Sequence, residues 1–330
     1  MIIIFLFILN FNFYFIYLSM GLFSIFLIHF LIVLYSKILC FNKKDDFRTL
    51  NFSNSINIFI MAHKDFYNIR KNQIYKIVVD DETQLKNKYN LQVIYANKGL
   101  LYQKPNNYNE MSKLYYIYEL YKKGTLSSKY IGLNHYRRYF NFLDNIPDFD
   151  KIFEKYDIIL PRKVRVQINL KNQYCYKTLC KPLEEVIQII KEKRPEYYQA
   201  AIDYLNAKDG YFCNMFIMKK KDFFKYCEFI YNILFELDRR HNFISDKDVI
   251  NYLKQYYPKS LIGFQMRIQG FLSERLSSIF FKHNFKRIKE FPIVILSKNL
   301  VASKKRKEKN EIKNFPILKL KNSNIFFSFY

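Results

Sequence analysis

The chain has no tryptophan, and its 330 residues include only 7 glycines and 8 prolines. So little glycine leaves no Gly-rich phosphate loop, and neither G-x-S-x-G nor H-E-x-x-H occurs. The P-loop, the serine-hydrolase elbow and the zincin helix are therefore excluded. No clear D-x-D follows a candidate strand. The nearest acidic pair, Asp80-Asp81 within V-V-D-D-E-T, reads as a surface turn. Cysteines number five, an odd count, and form no C-x-x-C. That argues against a zinc site or a disulfide framework. It leaves Cys40, Cys175, Cys180, Cys213 and Cys227 as scattered thiols of a reducing compartment. Acid is absent from residues 1–42, where Lys37 is the one Lys or Arg.

Half the chain is apolar and 19% is aromatic. That is ample for a packed core and excludes general disorder. Lys and Arg number 54 against 29 Asp and Glu, a formal charge of +25. Beyond residue 42 the balance is 53 basic to 29 acidic residues, so an oily neutral end precedes a strongly basic body. The richness in Lys, Asn, Ile, Phe and Tyr is also what AT-rich coding produces, so part of this charge carries no function.

Residues 1–36 contain no Asp, Glu, Lys or Arg. A membrane span needs about 20 apolar residues, so this run suits one long helix or a short hairpin. No basic segment precedes it and no small-residue cleavage site follows, which argues against a signal peptide. Lys37, Lys43, Lys44 and Arg48 flank its far end, and the positive-inside rule then places the body in the cytoplasm, at the inner membrane. A start at Met20 or Met61 is the rival reading, and the latter would remove the anchor. The expected organisation is an anchor over 1–40, a linker over 41–55, a catalytic-type domain over 56–300 and a basic tail over 301–330.

Within the body, the apolar run at 56–62 predicts a buried strand, as do 91–95, 130–133, 157–160 and 211–218. Helical spacing predicts helices over 108–123, stopped by Gly124, and over 182–192, 222–237, 245–255 and 271–281. Strands alternating with helices imply an α/β sheet with helices on both faces.

Two polar motifs follow strands directly. His63, Lys64 and Asp65 come after the first, and His135-Tyr136-Arg137-Arg138 after the third. Ligands gather at the carboxyl ends of strands in such sheets, and Arg binds phosphate bidentately without losing its proton. If the second segment stays extended, at least one of its arginines faces solvent or an anion. Glu110 opens the 108–123 helix, where the helix dipole alone would favour a carboxylate. Ser245-Asp246-Lys247-Asp248 fits a helix cap, with Asp246 or Asp248 alternatively a base or substrate ligand. Glu274-Arg275 is either an internal ion pair or part of a site.

In order along the chain, I-F-I-M-A-H-K-D, N-Y-N-E, Y-I-G-L-N-H-Y-R-R-Y-F, I-I-L-P, C-N-M-F-I-M-K-K-K-D-F-F-K-Y-C and G-F-L-S-E-R-L resemble a bacterial family of capsular, exopolysaccharide and O-antigen clusters. That family was long labelled a domain of unknown function and is regarded as glycosyltransferase-like, with some members similar to galactofuranosyltransferases. The resemblance covers about residues 56–281. It implies a GT-A-like, Rossmann-like open mixed sheet flanked by helices, here behind an N-terminal transmembrane helix. The family's short acidic-Gly-Asp-Asn stretch is missing, and residues 98–107 stand in its place without an acid. In the GT-A pattern the metal-binding D-x-D slot would hold His135 to Arg138, so cations would replace Mg or Mn at the diphosphate.

The resulting expectation is a hexosyltransferase using a nucleotide-sugar donor and a lipid-linked glycan acceptor. His63, Lys64, Asp65, Glu110, His135, Arg137 and Arg138 would bind the donor. Asp246 would be the base, with Glu274 second, and Asn214, Asp248 and Arg275 would line the acceptor side. No metal ligand is assigned, and a divalent cation, Mg or Mn, is the alternative at the diphosphate despite the lack of a clear D-x-D. The alternatives are a basic nucleic-acid-binding protein, although no nucleic-acid partner is expected beside a membrane segment, and a catalytically inactive glycan-binding relative.

Overall fold

The structure is a computed structural model that describes residues 55–66, 73–85, 91–142 and 145–295. The expected anchor, linker and basic tail lie outside these residues, as does Cys40. Among the described residues no helix is long and apolar enough to cross a membrane.

The strands are β1 (Ile56–Met61), β2 (Tyr75–Val79), β3 (Gln92–Tyr95), β4 (Tyr130–His135), β5 (Arg138–Phe140), β6 (Ile158–Pro161), β7 (Val164–Arg165), β8 (Asp209–Gly210), β9 (Phe216–Lys219), β10 (Ile288–Phe291) and β11 (Ile293–Ile295). The helices are α1 (Pro105–Tyr108), α2 (Glu110–Lys122), α3 (Phe149–Lys155), α4 (Leu170–Lys177), α5 (Lys181–Lys193), α6 (Tyr198–Asn206), α7 (Lys220–His241), α8 (Asp246–Leu253), α9 (Lys259–Gln265) and α10 (Ile268–Asn284).

The main sheet has the order β10-β6-β9-β4-β1-β2-β3, with β5 and β11 joined at the side. β1 is central and parallel to both β2 and β4. β9 runs antiparallel between β4 and β6, which makes the sheet mixed. Every residue of β1 is buried. A strand covered on both faces reads as a continuous apolar run, and I-N-I-F-I-M is one. Its one polar side chain, Asn57, donates to the Tyr121 hydroxyl at 2.9 Å. Gly132 on β4 is needed for the packing of its neighbours, since a Cβ there would stand 3.0 Å from methylenes of both Ile58 and Ile217.

The two faces are covered unequally. One packs against a large core that includes α2, α5, α6, α7 and α10. Among the described residues, the other meets α3, β5 and neighbouring loops. The expectation of helices on both faces holds with this asymmetry. The helix stops are as the residues demand: Gly124 ends α2 at φ 73, and Asn242 ends α7 at φ 53, both left-handed.

Two expectations are corrected. Of the 211–218 run only residues 216–218 enter a main-sheet strand, β9 (Phe216–Lys219), because the backbone turns left-handed at Cys213 and Asn214. Cys175 and Cys180 are joined in a disulfide, with Cα atoms 4.5 Å apart. Their spacing of five residues matches no standard motif, so pairing of the end of α4 with the start of α5 was visible only once both were folded.

Candidate functional site

The chain leaves β1 toward β2 and β3 on one side, then returns to place β4 on the other. Strand order therefore reverses between β1 and β4, and the crevice at their carboxyl ends is the expected ligand position. Met61 pairs with His135 in register, so residues 63–65 and 135–138 leave the sheet side by side. The rings of His63 and Tyr136 stand 4.8 Å apart. Arg137 lies over the Tyr136 ring at 5.0 Å.

The H-Y-R-R segment does not stay extended. It forms a two-residue turn between β4 and β5, with His135 opposite Arg138, and the Tyr139 hydroxyl bonds the Tyr136 carbonyl at 3.0 Å. Arg137 is exposed and Arg138 half-buried. The Arg137 amide donates to His135 Nδ1 at 3.2 Å, which leaves the His135 proton on Nε2. Burial, then Arg138, Arg137 and His63, push His135 down to about 2, so it stays neutral. Desolvation, then Lys113, Lys64, Arg267 and Arg137, hold His63 at about 4, although part of His63 remains open to solvent.

Lys113 and Arg267 therefore belong to the same cationic cluster. Lys113, on α2, is buried and paired with Asp80 at 2.7 Å. Asp80, expected on a surface turn, is buried just past the end of β2. Arg267 immediately precedes α10. Neither cation follows a strand, so no local signal marked it.

A second cluster lies beside the first. Glu110 starts α2, and Asn214 Nδ2 bonds its Oε1 at 2.9 Å. The same amide reaches Ser273 Oγ at 2.9 Å, and Ser277 Oγ donates to Asn214 Oδ1 at 2.9 Å. Glu274 accepts the Cys213 amide at 3.2 Å. Burial pushes the Glu274 carboxyl up; Arg275 opposes this, and the charge of Glu110 adds to the rise. The Glu274 side chain keeps 23% of its surface open, so a ligand can reach it. Arg138 acts electrostatically on both His135 and Glu274, which ties the clusters together.

The backbone under this cluster is strained. Asn109, Cys213 and Asn214 have φ of 54, 74 and 49 degrees. Such conformations cost of order 1–3 kcal/mol each and concentrate at functional sites. The N-Y-N-E corner is clamped to hold its shape. Asn107 Oδ1 accepts from the Gln269 amide at 3.1 Å. The Tyr108 hydroxyl donates to buried Asp238 at 2.7 Å. Gly270 lets α10 approach, since a Cβ there would meet Asn109 Cβ at 3.0 Å.

Residues 57–285 match the family described as Domain of unknown function (DUF4422). The chain belongs to this family. The match spans the two clusters above, and it agrees with the resemblance read from the motifs. No curated protein matches. Among solved structures, the apo structure of the WbbM bifunctional glycosyltransferase is similar, with a TM-score of 0.56 and 23% identity. The alignment covers 74% of this chain and 46% of that one. The chain thus spans less than half the length of that protein, and the likeness is one of fold: a mixed α/β sheet flanked by helices.

In this DUF4422 chain the remaining expected site residues take varied positions. Lys64 and Asp65 lie with His63 past β1, exposed and half-buried respectively. The Asp246 carboxylate caps α1, accepting from the Asn106 amide at 3.2 Å, its side chain at 2.9 Å and the Asn107 amide at 3.0 Å. Asp248 accepts from the amide of Ser245 at 2.7 Å and from its hydroxyl at 3.0 Å, as the helix-cap reading describes. Arg275 is buried between Tyr174 and Phe212, donates to Gln173 at 2.6 Å, and lies 3.9 Å from Glu274. Among the described residues no three His, Cys, Asp or Glu side chains group to hold a metal ion.

Proposed function

We propose that this DUF4422 chain is a glycosyltransferase that moves a hexose from a nucleotide-sugar donor to a glycan acceptor. The observation that carries the reading is the joining, at the β1/β4 switch point, of a cationic cluster with a reachable, raised-pKa carboxylate. Lys64, Arg137 and Arg267 supply positive charge where a sugar diphosphate would lie, with buried Lys113, paired with Asp80, behind them. Preorganised cations stabilise the charge that develops on a leaving nucleoside diphosphate. His63 and His135, held neutral, offer hydrogen bonds without adding charge. Asp65 and Arg138 border the same cleft.

Glu274 takes the base role ahead of Asp246. A base must reach the acceptor hydroxyl and work near ambient pH, and Glu274 is both reachable and raised. Asp246 is occupied by three donors of the α1 corner. Glu110, fixed by Asn214, lies beside Glu274 and would orient the sugar hydroxyls. Arg275 acts through Glu274, and Asp248 serves as a cap. Mg or Mn does not fit the strand-end cluster, which presents cations where a D-x-D would present carboxylates.

The acceptor is a lipid-linked glycan of capsule, exopolysaccharide or O-antigen synthesis, met at the cytoplasmic face of the inner membrane. The uncharged run at 1–36 and the basic body support this placement. In domain terms, 1–40 is the anchor, 41–55 the linker, 56–300 the transferase and 301–330 a basic tail.

The test is a screen of the full chain against a panel of nucleotide sugars, reading nucleoside diphosphate release and donor binding with and without EDTA. Turnover that persists in EDTA is the expected result. Binding without turnover would identify an inactive glycan-binding relative. Absence of binding to every donor by the folded chain would overturn the reading.

A further inference from the structure

Residues 158–183 and residues 249–273 contain no Asp or Glu. The fold brings these stretches together. Gln265 Nε2 donates to the Lys177 carbonyl at 2.9 Å, and Lys181 Nζ stands 3.4 Å from the Tyr256 hydroxyl. The end of α4, the start of α5 and the α8–α9 connection thus form one surface.

Lys177, Lys181, Lys254 and Lys259 are exposed on it. Large apolar side chains stand among them: Tyr176 is 86% exposed, Tyr256 41% and Leu261 47%. At its border Glu184 is neutralised by Lys171 at 3.0 Å. A single exposed Leu or Tyr needs no explanation. An acid-free field of lysines around exposed tyrosines and a leucine does. Tyrosine favours the headgroup level of a bilayer, lysine stems lie along apolar surface with the ammonium in water, and anionic headgroups attract basic clusters. A soluble polyanion would use the lysines but gain nothing from Leu261.

We infer that this face docks on an anionic bilayer surface, with the four lysines on lipid phosphates and Tyr176, Tyr256 and Leu261 in the headgroup layer. It is a contact of the body itself, separate from any span in the N-terminal run, and its test does not depend on turnover.

The absence of tryptophan makes the test direct. Full-length chain carrying Tyr256→Trp is placed in phosphatidylcholine vesicles, with and without phosphatidylglycerol, containing brominated acyl chains. Ile146→Trp, in the segment before α3 on the opposite face of the sheet, is the internal control; both reporters share the same N-terminal run. The position-256 reporter should shift to the blue and be quenched in anionic vesicles, and the position-146 reporter should not. Each lysine near such a surface is worth about fivefold in the docked-to-free ratio. Charge reversal of Lys177, Lys181, Lys254 and Lys259 to Glu should therefore return the signal to the control level. Tyr176→Ser with Leu261→Ser, which keeps the charge, should weaken quenching more than it weakens salt sensitivity. Equal quenching at both positions, indifference to lipid charge, or the same blue shift produced by heparin without vesicles would each overturn the assignment.

Discussion

Asn214 Nδ2 donates to Glu110 Oε1 at 2.9 Å, across 104 residues of sequence. The same buried amide is held by Ser273 and Ser277, so its orientation is fixed and Glu110 is fixed with it. The Asn214→Asp substitution would replace that donor with a carboxylate facing Glu110. An unsatisfied or repelled buried group costs about 1–3 kcal/mol, and the loss should be larger at pH 8 than at pH 5, because protonation of the introduced carboxyl relieves the repulsion. Thermal unfolding of both chains across that range checks this. An equal loss at both pH values would show that Asn214 acts through packing alone.

Replacing Arg137 and Arg138 together with Ala should cut turnover by about 10²–10³, the scale for removing charge stabilisation at a leaving group. The fold should persist, because Arg137 is exposed and Arg138 only half-buried. Wild-type rates in a folded double variant would remove the diphosphate assignment.

Glu274→Gln should lower turnover by about 10²–10⁴, the range for a positioned base, while leaving donor binding intact. In the parent chain the acidic limb of the pH–rate profile should lie above the ordinary carboxylate range, since burial raises this group. The stability sign is fixed by the same direction. A carboxyl raised in the folded state favours folding below its unfolded pKa, and that contribution is lost as pH rises through the folded value. Parent and variant should therefore converge in stability at low pH and differ most at high pH, the variant being the more stable there. Melting curves against pH decide it.

Lys113 and Asp80 form a buried pair at 2.7 Å. Removing one partner of such a pair costs about 3–5 kcal/mol, whereas replacing both with apolar residues of similar volume is often near neutral. Asp80→Leu alone should unfold at markedly lower denaturant. Asp80→Leu with Lys113→Met should recover stability yet bind nucleotide sugar weakly, because the cation beside His63 is gone. Recovery of both properties would confine Lys113 to a structural part.

Much of the frame was legible along the chain because its signals are local. Six consecutive buried residues made β1 readable, and Gly124 marked the end of α2. The H-Y-R-R block could be tied to a strand end because β4 directly precedes it. β2 was harder to read: its five buried residues include Lys76, whose charge breaks the apolar run. Ser245 to Asp248 showed the limit of local reading. The spacing permits a cap or a base, and it took the Asn106 and Asn107 amides, some 140 positions away, to occupy Asp246.

By itself, then, the sequence determined the alternation of elements, the basic body, the uncharged N-terminal run and the family motifs, since each rests on neighbouring residues or on counts. Tertiary structure alone decided which charges meet. Lys113 comes from the middle of a helix and Arg267 from the entry to another, and nothing near them in sequence marks a site; Glu274, in the second turn of α10, was marked by its motif but not by any local sign of what it meets. They converge because strand order reverses between β1 and β4 and because strained corners at Asn109 and Cys213-Asn214 turn the chain back toward that crevice. Those corners are held by hydrogen bonds spanning from about 60 to more than 160 residues, a range over which no local pattern carries information.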